Sequence, residues 1–214
     1  MASDLRLFLQ EFRQTYRTTG AIAPSGKALS RALARFVRPP AGATAPRRIL
    51  EVGPGTGAVT CALIEALDPR DSLDLVELND RFAERIRERM ANDPAFQPAK
   101  GRMRLFHQSV DGLPEEPRYD VIVSGLPLNN FAVADVRHLL DVMLSRLAVG
   151  GVMSFFEYVW IRGMKAVVSG RAERERLRGI AATMQQLLDE REIHRDLVWT
   201  NLPPAWVHHV RREA

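Results

Sequence analysis

The chain has 214 residues, enough for one domain with a sizeable core, and 46% of them are hydrophobic and 26% charged, as in a globular protein. No apolar run reaches the roughly 18 residues of a membrane-spanning helix, no secretory signal is recognisable, and the one cysteine, Cys61, cannot form an intramolecular disulfide, so we expect a cytoplasmic protein. Residues 1–48 contain nine Lys or Arg against two acids, while the remainder contains 21 against 24, and such a basic segment favours nucleic acid or an anionic lipid surface.

The chain begins with two amphipathic helical patterns, to which we assign residues 1–46. The apolar face of the first pattern consists of Leu5, Phe8, Leu9, Phe12 and Tyr16. The cationic stripe beside it contains Arg6, Arg13 and Arg17. In the second pattern Leu29, Leu33 and Phe36 share a face, and Pro39 ends the helix. An aromatic and leucyl face beside arginines is typical of a helix that lies on a membrane, although packing against a core would produce the same pattern.

Strand and helix patterns alternate through residues 47–214, which we assign to one α/β domain. The predicted strands are Ile49–Gly53, Leu73–Leu78, Met103–Ser109, Tyr119–Gly125 and Val152–Tyr158, and the predicted helices between them are Ala58–Leu67, Asp80–Met90 and Val136–Leu147. Such alternation predicts a mostly parallel sheet with helical crossovers. The final runs, Asp196–Asn201 and Ala205–Val210, predict a strand and its antiparallel return. The Gly- and Arg-rich stretch Ile161–Arg178 is interpreted as a surface loop or a lid.

A glycine-rich motif, Glu51-Val52-Gly53-Pro54-Gly55-Thr56-Gly57, follows the first predicted strand and opens a helix. Glycines at this point let the backbone turn tightly and approach a ligand. Glu77 ends the next strand, where an acid accepts hydrogen bonds from ribose hydroxyls. The alternative is a nicotinamide dinucleotide site, but its glycine spacing differs, and Glu51 would repel a pyrophosphate while suiting the α-ammonium of methionine. The motif therefore favours S-adenosylmethionine.

These motifs resemble those of the Rossmann-like class I methyltransferases, and most of all those of the ribosomal RNA adenine dimethylases. The similarity lies in ILEVGPGTGAVT at Ile49–Thr60, VELN at Val76–Asn79, HQSVD at His107–Asp111 and SGLP at Ser124–Pro127. It implies that S-adenosylmethionine is bound and S-adenosylhomocysteine released. The residues that it assigns to the cofactor are Tyr16, Glu51, Gly53, Gly55, Glu77, Leu78, Ser109, Val110 and Ser124.

The substrate motif departs from that of the adenine dimethylases. Gly125 stands where they carry an asparagine for the target amine, and Leu128 where an aromatic ring stacks on the base. Phe131 is the nearest ring that could substitute from a shifted position. We therefore expect no nucleic-acid partner, and keep an adenine N6-methyltransferase and a small-molecule N-methyltransferase with a helical lid as alternatives.

Nearly the whole chain resembles the soluble, peripheral bacterial phospholipid N-methyltransferases. The similarity includes the first predicted helix and the segment Tyr16–Ser25 that follows it. It also includes SGLPLNNF at Ser124–Phe131 and NLPPAWVHHVR at Asn201–Arg211. It implies stepwise methylation of phosphatidylethanolamine towards phosphatidylcholine by an enzyme attached peripherally to the inner face of the cytoplasmic membrane. The residues expected to contact an anionic membrane are Arg6, Phe8, Phe12, Arg13 and Arg17.

The amine of such a lipid must lose a proton before it accepts a methyl group, because its pKa in solution is about 10, as for lysine. A base near the reacting end of the sheet would help. The candidates for catalysis are Tyr16, Glu157, Tyr158 and His194. Aromatic rings among them could also hold a methylated ammonium by cation–π attraction. No His, Cys or carboxylate spacing fits a metal site, so we expect no metal.

Overall fold

The computed structural model describes residues 26–159 and 171–213, and the fold in these ranges is built around one sheet. Its strands are β1 Arg48–Val52, β2 Ser72–Glu77, β3 Met103–His107, β4 Tyr119–Ser124, β5 Leu147–Tyr158, β6 Glu192–Val198 and β7 Ala205–Arg211. They lie in the order β3-β2-β1-β4-β5-β7-β6. Strands β1 to β5 are parallel to one another, whereas β7 runs antiparallel to both β5 and β6. This confirms the predicted α/β fold with an antiparallel return.

Helices cover both faces of the sheet. They are α1 Lys27–Leu33, α2 Ala58–Ala66, α3 Asp80–Asn92, α4 Val133–Arg146 and α5 Arg171–Arg191, with short 3-10 turns at Arg35–Val37, Pro94–Ala99, Val110–Gly112 and Leu128–Asn130. Leu33, Leu63 and Ile86 join one core cluster, while Met143 and Ile180 join the other on the opposite face. The central strands are therefore buried on both sides, as parallel strands generally are.

The parallel strands bring their carboxyl ends to one edge of the sheet, which we call the carboxyl edge. Val52 of β1 pairs with Val76 of β2 and with Ser124 of β4, so the loops that follow these three strands emerge side by side. Strand β6 is also parallel to β5, because both pair antiparallel with β7. The turn after Val198 therefore emerges at the carboxyl edge as well. Ligands of open α/β sheets bind at this edge.

Two parts of the chain differ from the sequence-based expectation. Residues 171–178 were predicted to be loop or lid, but they form the first turns of α5, where Leu177 is 5% exposed. Their few apolar residues are separated by arginines and glutamates, so these eight residues alone do not show a helical periodicity. Strand β6 begins at Glu192 and ends at Val198, so residues 199–201, predicted as strand, belong to the turn that follows.

The described part of the N-terminal assignment packs onto the sheet. Leu29, Leu33 and Val37 are fully buried in the same cluster as β1 and β5 residues. The Arg35 guanidinium donates two hydrogen bonds to the Asp196 carboxylate, at 2.6 and 2.7 Å. Among the helices that the structure describes, none combines the length and hydropathy that crossing a membrane requires.

Candidate cofactor and substrate site

The loop after β1 and the loop after β4 approach so closely that only glycine fits between them. Gly53 has a φ of +73°, and a Cβ on it would overlap the Leu126 side chain. The Gly125 N–H donates to the Val52 carbonyl at 2.9 Å, and a Cβ at Gly125 would lie 2.6 Å from the Gly53 carbonyl oxygen. Since that neighbour is backbone, no side-chain movement can relieve the overlap. The glycine that replaces the expected asparagine at position 125 is thus required by the backbone.

Glu77 ends β2 with its carboxylate held in a fixed orientation. The Gly55 N–H donates to Oε2 at 3.1 Å and the Asn79 N–H donates to Oε1 at 2.8 Å. Burial raises the pKa of Glu77, although these hydrogen bonds act in the opposite direction. The Leu78 N–H is a third backbone donor to this carboxylate. An ionised carboxylate offers about four acceptor positions, so only the remainder is available to a donor such as a ribose hydroxyl. Glu77 thus lies at the end of β2, beside the glycine-rich loop, and its binding of a ribose stays a prediction.

Glu51 is an acid fully buried beneath the glycine-rich loop. The Thr60 hydroxyl donates to its Oε2 at 2.7 Å, while Oε1 is buried without a hydrogen-bond partner. Burial raises the pKa of Glu51 to about 8, and the neighbouring Glu77 carboxylate adds to the effect. An unpartnered buried carboxyl oxygen is costly unless a ligand completes it. A cation that reaches Oε1 would both satisfy the atom and favour the ionised form.

A cleft opens between the ends of β1, β2 and β4. Of the residues predicted to bind the cofactor, Gly53, Glu77, Leu78, Ser109 and Val110 line it. Sequence reasoning missed further lining residues, which are Val52, Val76, Gln108, Leu126, Phe131 and Leu139. Most of these are apolar residues whose sequence pattern is that of ordinary core. The mixed apolar and polar lining suits a nucleoside whose base is stacked and whose sugar is hydrogen-bonded.

Ser124 has a different place from the one that the sequence predicted. It is fully buried and absent from the lining of the cleft, and its hydroxyl accepts a hydrogen bond from the Leu126 N–H at 3.3 Å. It therefore shapes the turn after β4 instead of facing the cleft. Phe131 is 2% exposed within the core of that same region, so its ring is not free to stack on an extruded base.

Comparison with known proteins adds to this geometry. A family model described as "Methyltransferase domain" matches residues 50–153. The chain is 31% identical over 159 residues to the ornithine lipid N-methyltransferase of Singulisphaera acidiphila, a match that covers 74% of this chain and 80% of that protein. This chain belongs to the class I S-adenosylmethionine-dependent methyltransferases.

Two further likenesses are more limited. The ribosomal RNA small subunit methyltransferase A of a Synechococcus strain is 36% identical over 81 residues, which cover 38% of this chain and 28% of that protein. The solved O-methyltransferase of Bacillus cereus in complex with SAH superposes with a TM-score of 0.62 at 16% identity, over 99% of this chain and 92% of that one. The second likeness concerns the fold alone.

The site of this methyltransferase fits its cofactor. Glu51 and Gly55 are not among the residues that line the cleft. Glu51 would hold the α-ammonium of the methionine moiety only where that group reaches its buried, unpaired Oε1 beneath the glycine-rich loop. Glu77 would hold the ribose hydroxyls, and the cleft between Leu78 and Val110 would take the adenine. In the ranges 26–159 and 171–213, no group of three or more His, Cys, Asp or Glu side chains is placed to hold a metal ion.

The two neighbouring catalytic candidates, Glu157 and Tyr158, face opposite sides of the sheet of this methyltransferase, as successive strand residues do. Tyr158 is 4% exposed and its ring packs 5.2 Å from that of Phe156, in the cluster that includes α1. Glu157 lies on the other face, where its Oε1 is 3.5 Å from Nε2 of His208. His208 is 2% exposed, and its Nδ1 lies 2.6 Å from the Glu192 carboxylate.

His194, predicted as a possible base, is not brought to the cleft. It lies on β6, three strands from β4 and thus roughly 14 Å away across the sheet. Its ring stands beside Phe36 and His209, and it lines a cavity with Asp120 and Gly151, which lie at the amino ends of β4 and β5. His194 is near the amino end of β6, and because β6 is parallel to β5, this end lies at the edge of the sheet opposite the cleft. The predictions for Arg6, Phe8, Phe12, Arg13, Tyr16 and Arg17 fall outside the described residues.

Proposed function

We propose that this methyltransferase transfers methyl groups to the primary amine of a membrane lipid headgroup, with phosphatidylethanolamine as substrate and phosphatidylcholine as the final product. The observation that carries the proposal is the similarity to a lipid N-methyltransferase over four fifths of that relative's length. The similarity to a ribosomal RNA methyltransferase covers far less of the relative. A substrate with an amine headgroup is therefore favoured over a nucleobase.

The substrate loop supports the same choice. Gly125 cannot carry the amide with which adenine dimethylases hold a base amine, and Phe131 is packed into the core. Asn129, two residues before Phe131, is 3% exposed and its side-chain oxygen lacks a hydrogen-bond partner. An unpaired buried amide oxygen can accept a hydrogen bond from an amine. A base remains disfavoured because it would need a stacking ring, which Phe131 does not offer.

The residues of the chain divide the work of the reaction as follows. S-adenosylmethionine supplies a methyl group activated by its positively charged sulfur. Glu51 would hold the α-ammonium of that molecule and Glu77 its ribose, so that alignment accounts for much of the rate. Glu157 accepts the proton that the lipid amine must lose before it can attack. His208 lies between Glu157 and Glu192: its Nδ1 is 2.6 Å from the Glu192 carboxylate, whereas its Nε2 is 3.5 Å from Glu157 Oε1 and makes no hydrogen bond within the described residues.

The membrane part of the proposal rests on the N-terminal segment. The helix predicted from its sequence, with Phe8 and Phe12 on the apolar face, would lie at the headgroup boundary of the inner face of the cytoplasmic membrane, and Arg6, Arg13 and Arg17 would attract anionic lipid. Replacing Arg13 and Arg17 by Glu should weaken vesicle binding at low salt and leave a smaller difference at high salt, because exposed charges are screened. Equal sedimentation of the wild type with neutral and anionic vesicles would contradict it.

A second candidate substrate has a specific observation in its favour. The relative that covers most of the chain is named for ornithine lipid, which also offers a primary amine to a membrane-bound enzyme. Both lipids satisfy the same chemistry at the amine. The choice between them depends on the anionic part of the headgroup, which neither Glu51 nor Glu77 would contact.

In the test, purified enzyme is incubated with S-adenosylmethionine and with anionic vesicles that contain one of the two lipids. The products are then identified by mass spectrometry. We expect phosphatidylethanolamine to gain methyl groups stepwise, and Glu77→Ala, as the matched control, to give none. Methylation of ornithine lipid alone would transfer the proposal to the second candidate. Absence of methylation of either lipid, with S-adenosylmethionine bound, would overturn both. Expression in a host without phosphatidylcholine provides the same test in cells.

A further inference from the structure

The turn between β6 and β7, residues 199–204, exposes two large apolar side chains. Trp199 is 61% exposed and Leu202 is 80% exposed, although a surface turn usually presents polar residues. The sequence of the turn, Trp-Thr-Asn-Leu-Pro-Pro, contains no charged residue. Exposed apolar side chains in such a setting indicate a surface that another apolar phase covers.

The polar groups of this turn are largely satisfied within the protein. Asn201 is 7% exposed, its side-chain oxygen accepts from the Gly26 N–H at 3.1 Å, and its amide donates to the Pro203 carbonyl at 2.8 Å. The Pro204 carbonyl accepts from the Val159 N–H at 2.8 Å, and the two prolines have no N–H to satisfy. The turn can therefore leave water without stranding a charge or most of its backbone donors.

The turn lies at the carboxyl edge, where the cofactor cleft also opens. Ala205, which follows it, pairs with Tyr158 at the end of β5, next to the loop of β4. Gly26 and Val159, which hydrogen-bond to the turn, are the points at which residues 1–25 and 160–170 join the described structure. The predicted membrane helix with its arginines is thus covalently attached beside this turn.

We propose that Trp199 and Leu202 insert into the headgroup boundary of the lipid bilayer and orient the carboxyl edge towards the membrane. The inference rests on the proposed function, because it needs a lipid surface as partner. Tryptophan prefers this boundary, and an uncharged turn enters it without desolvating an ion. The insertion sets the orientation in which a headgroup amine reaches the cleft, whereas the arginines of the first helix supply the attraction to anionic lipid.

The experiment uses full-length protein, anionic vesicles that contain phosphatidylethanolamine, and three variants. Trp199→Ser and Leu202→Ser should each weaken vesicle binding about tenfold or more, as expected for loss of a large inserted apolar group. Val149→Ser is the matched control, since Val149 is 64% exposed but lies at the opposite edge of the sheet, and it should bind as the wild type does. Methylation of the same lipid in detergent micelles should be equal in all four proteins.

Insertion itself is measured by quenching of tryptophan fluorescence with brominated lipids. We expect quenching in the wild type. Most of this quenching should be lost in Trp199→Phe, in which Trp160 and Trp206 are the remaining fluorophores. If no lipid is methylated in any form, the proposed function fails. If lipid is methylated but Trp199→Ser and Leu202→Ser match the wild type on vesicles, this inference alone fails. If Trp199 is not quenched in the wild type and Trp199→Ser lowers the melting temperature, residues 1–25 cover the turn. If Trp199→Ser instead dissociates a dimer of the wild type, a second copy of the chain covers it. Either result overturns the proposal.

Discussion

Glu51 provides a prediction that connects burial to cofactor binding. The pKa of this carboxyl is raised from its ordinary value of 4.5 to about 8, above all by burial. At pH 7 the free protein therefore keeps the group about nine tenths protonated. The α-ammonium of S-adenosylmethionine, placed at the unpaired Oε1, would favour the ionised form. We expect binding at pH 7 to release close to one proton, and Glu51→Gln to release almost none.

The assay is calorimetry of cofactor binding in buffers of different ionisation enthalpy, where the slope of the binding enthalpy gives the number of protons released. Measurement at pH 7 keeps the amine of the ligand cationic, since α-amino groups have a pKa of about 7.7–8. Wild-type binding without proton release would refute the reasoning, because Glu51 would then be ionised already or would stay neutral. Equal release by Glu51→Gln would also refute it, by showing that another group titrates.

The same pKa affects the stability of the ligand-free protein. The folded state holds a proton that the unfolded chain releases between pH 4.5 and about 8, so stability falls as the pH rises through this window. The gap between the two pKa values corresponds to about 5 kcal/mol at about 1.4 kcal/mol for each unit. Glu51→Gln, which keeps the bond to Thr60, should therefore raise the melting temperature at pH 8.5 by roughly 10 °C and change it little at pH 5.

Three further predictions concern the site. Glu77→Ala should weaken S-adenosylmethionine binding by about 2–4 kcal/mol in calorimetry, because two hydrogen bonds to a charged group are lost; an unchanged affinity would contradict its assignment to the ribose. Gly125→Ala should abolish cofactor binding in the same assay while circular dichroism shows a folded protein, since its Cβ would press on the Gly53 carbonyl; tight binding by this variant would show that the contact is dispensable. Glu157→Gln should lower the turnover of lipid amines and make it rise more steeply with pH, whereas His194→Ala should not, and equal losses would argue against Glu157 as the base.

The sequence determined the order of the strands and of the helices between the first five of them, but it did not predict α5. Runs five to seven residues long predicted a strand at each of the seven places, with β6 displaced by several residues, and the flanks of Gly53 and Gly55 predicted a cofactor loop after β1. Such signals are local, because a strand, a helix cap or a tight turn depends on residues within a few positions of each other. Glu77 was found in the same way, since its distance from the glycines spans one crossover helix.

Only the tertiary structure decided which distant residues meet. Glu157 and Tyr158 are neighbours in sequence but face opposite sides of the sheet. His194 lies at the edge of the sheet opposite the cleft, which its neighbours in sequence do not indicate. The orphaned oxygen of Glu51 and the overlap that forbids a side chain at Gly125 depend on the packing of β1 against β2 and β4. These features arise from strand register and burial, which join residues dozens of positions apart, so the sequence could predict the site's elements but not their contacts.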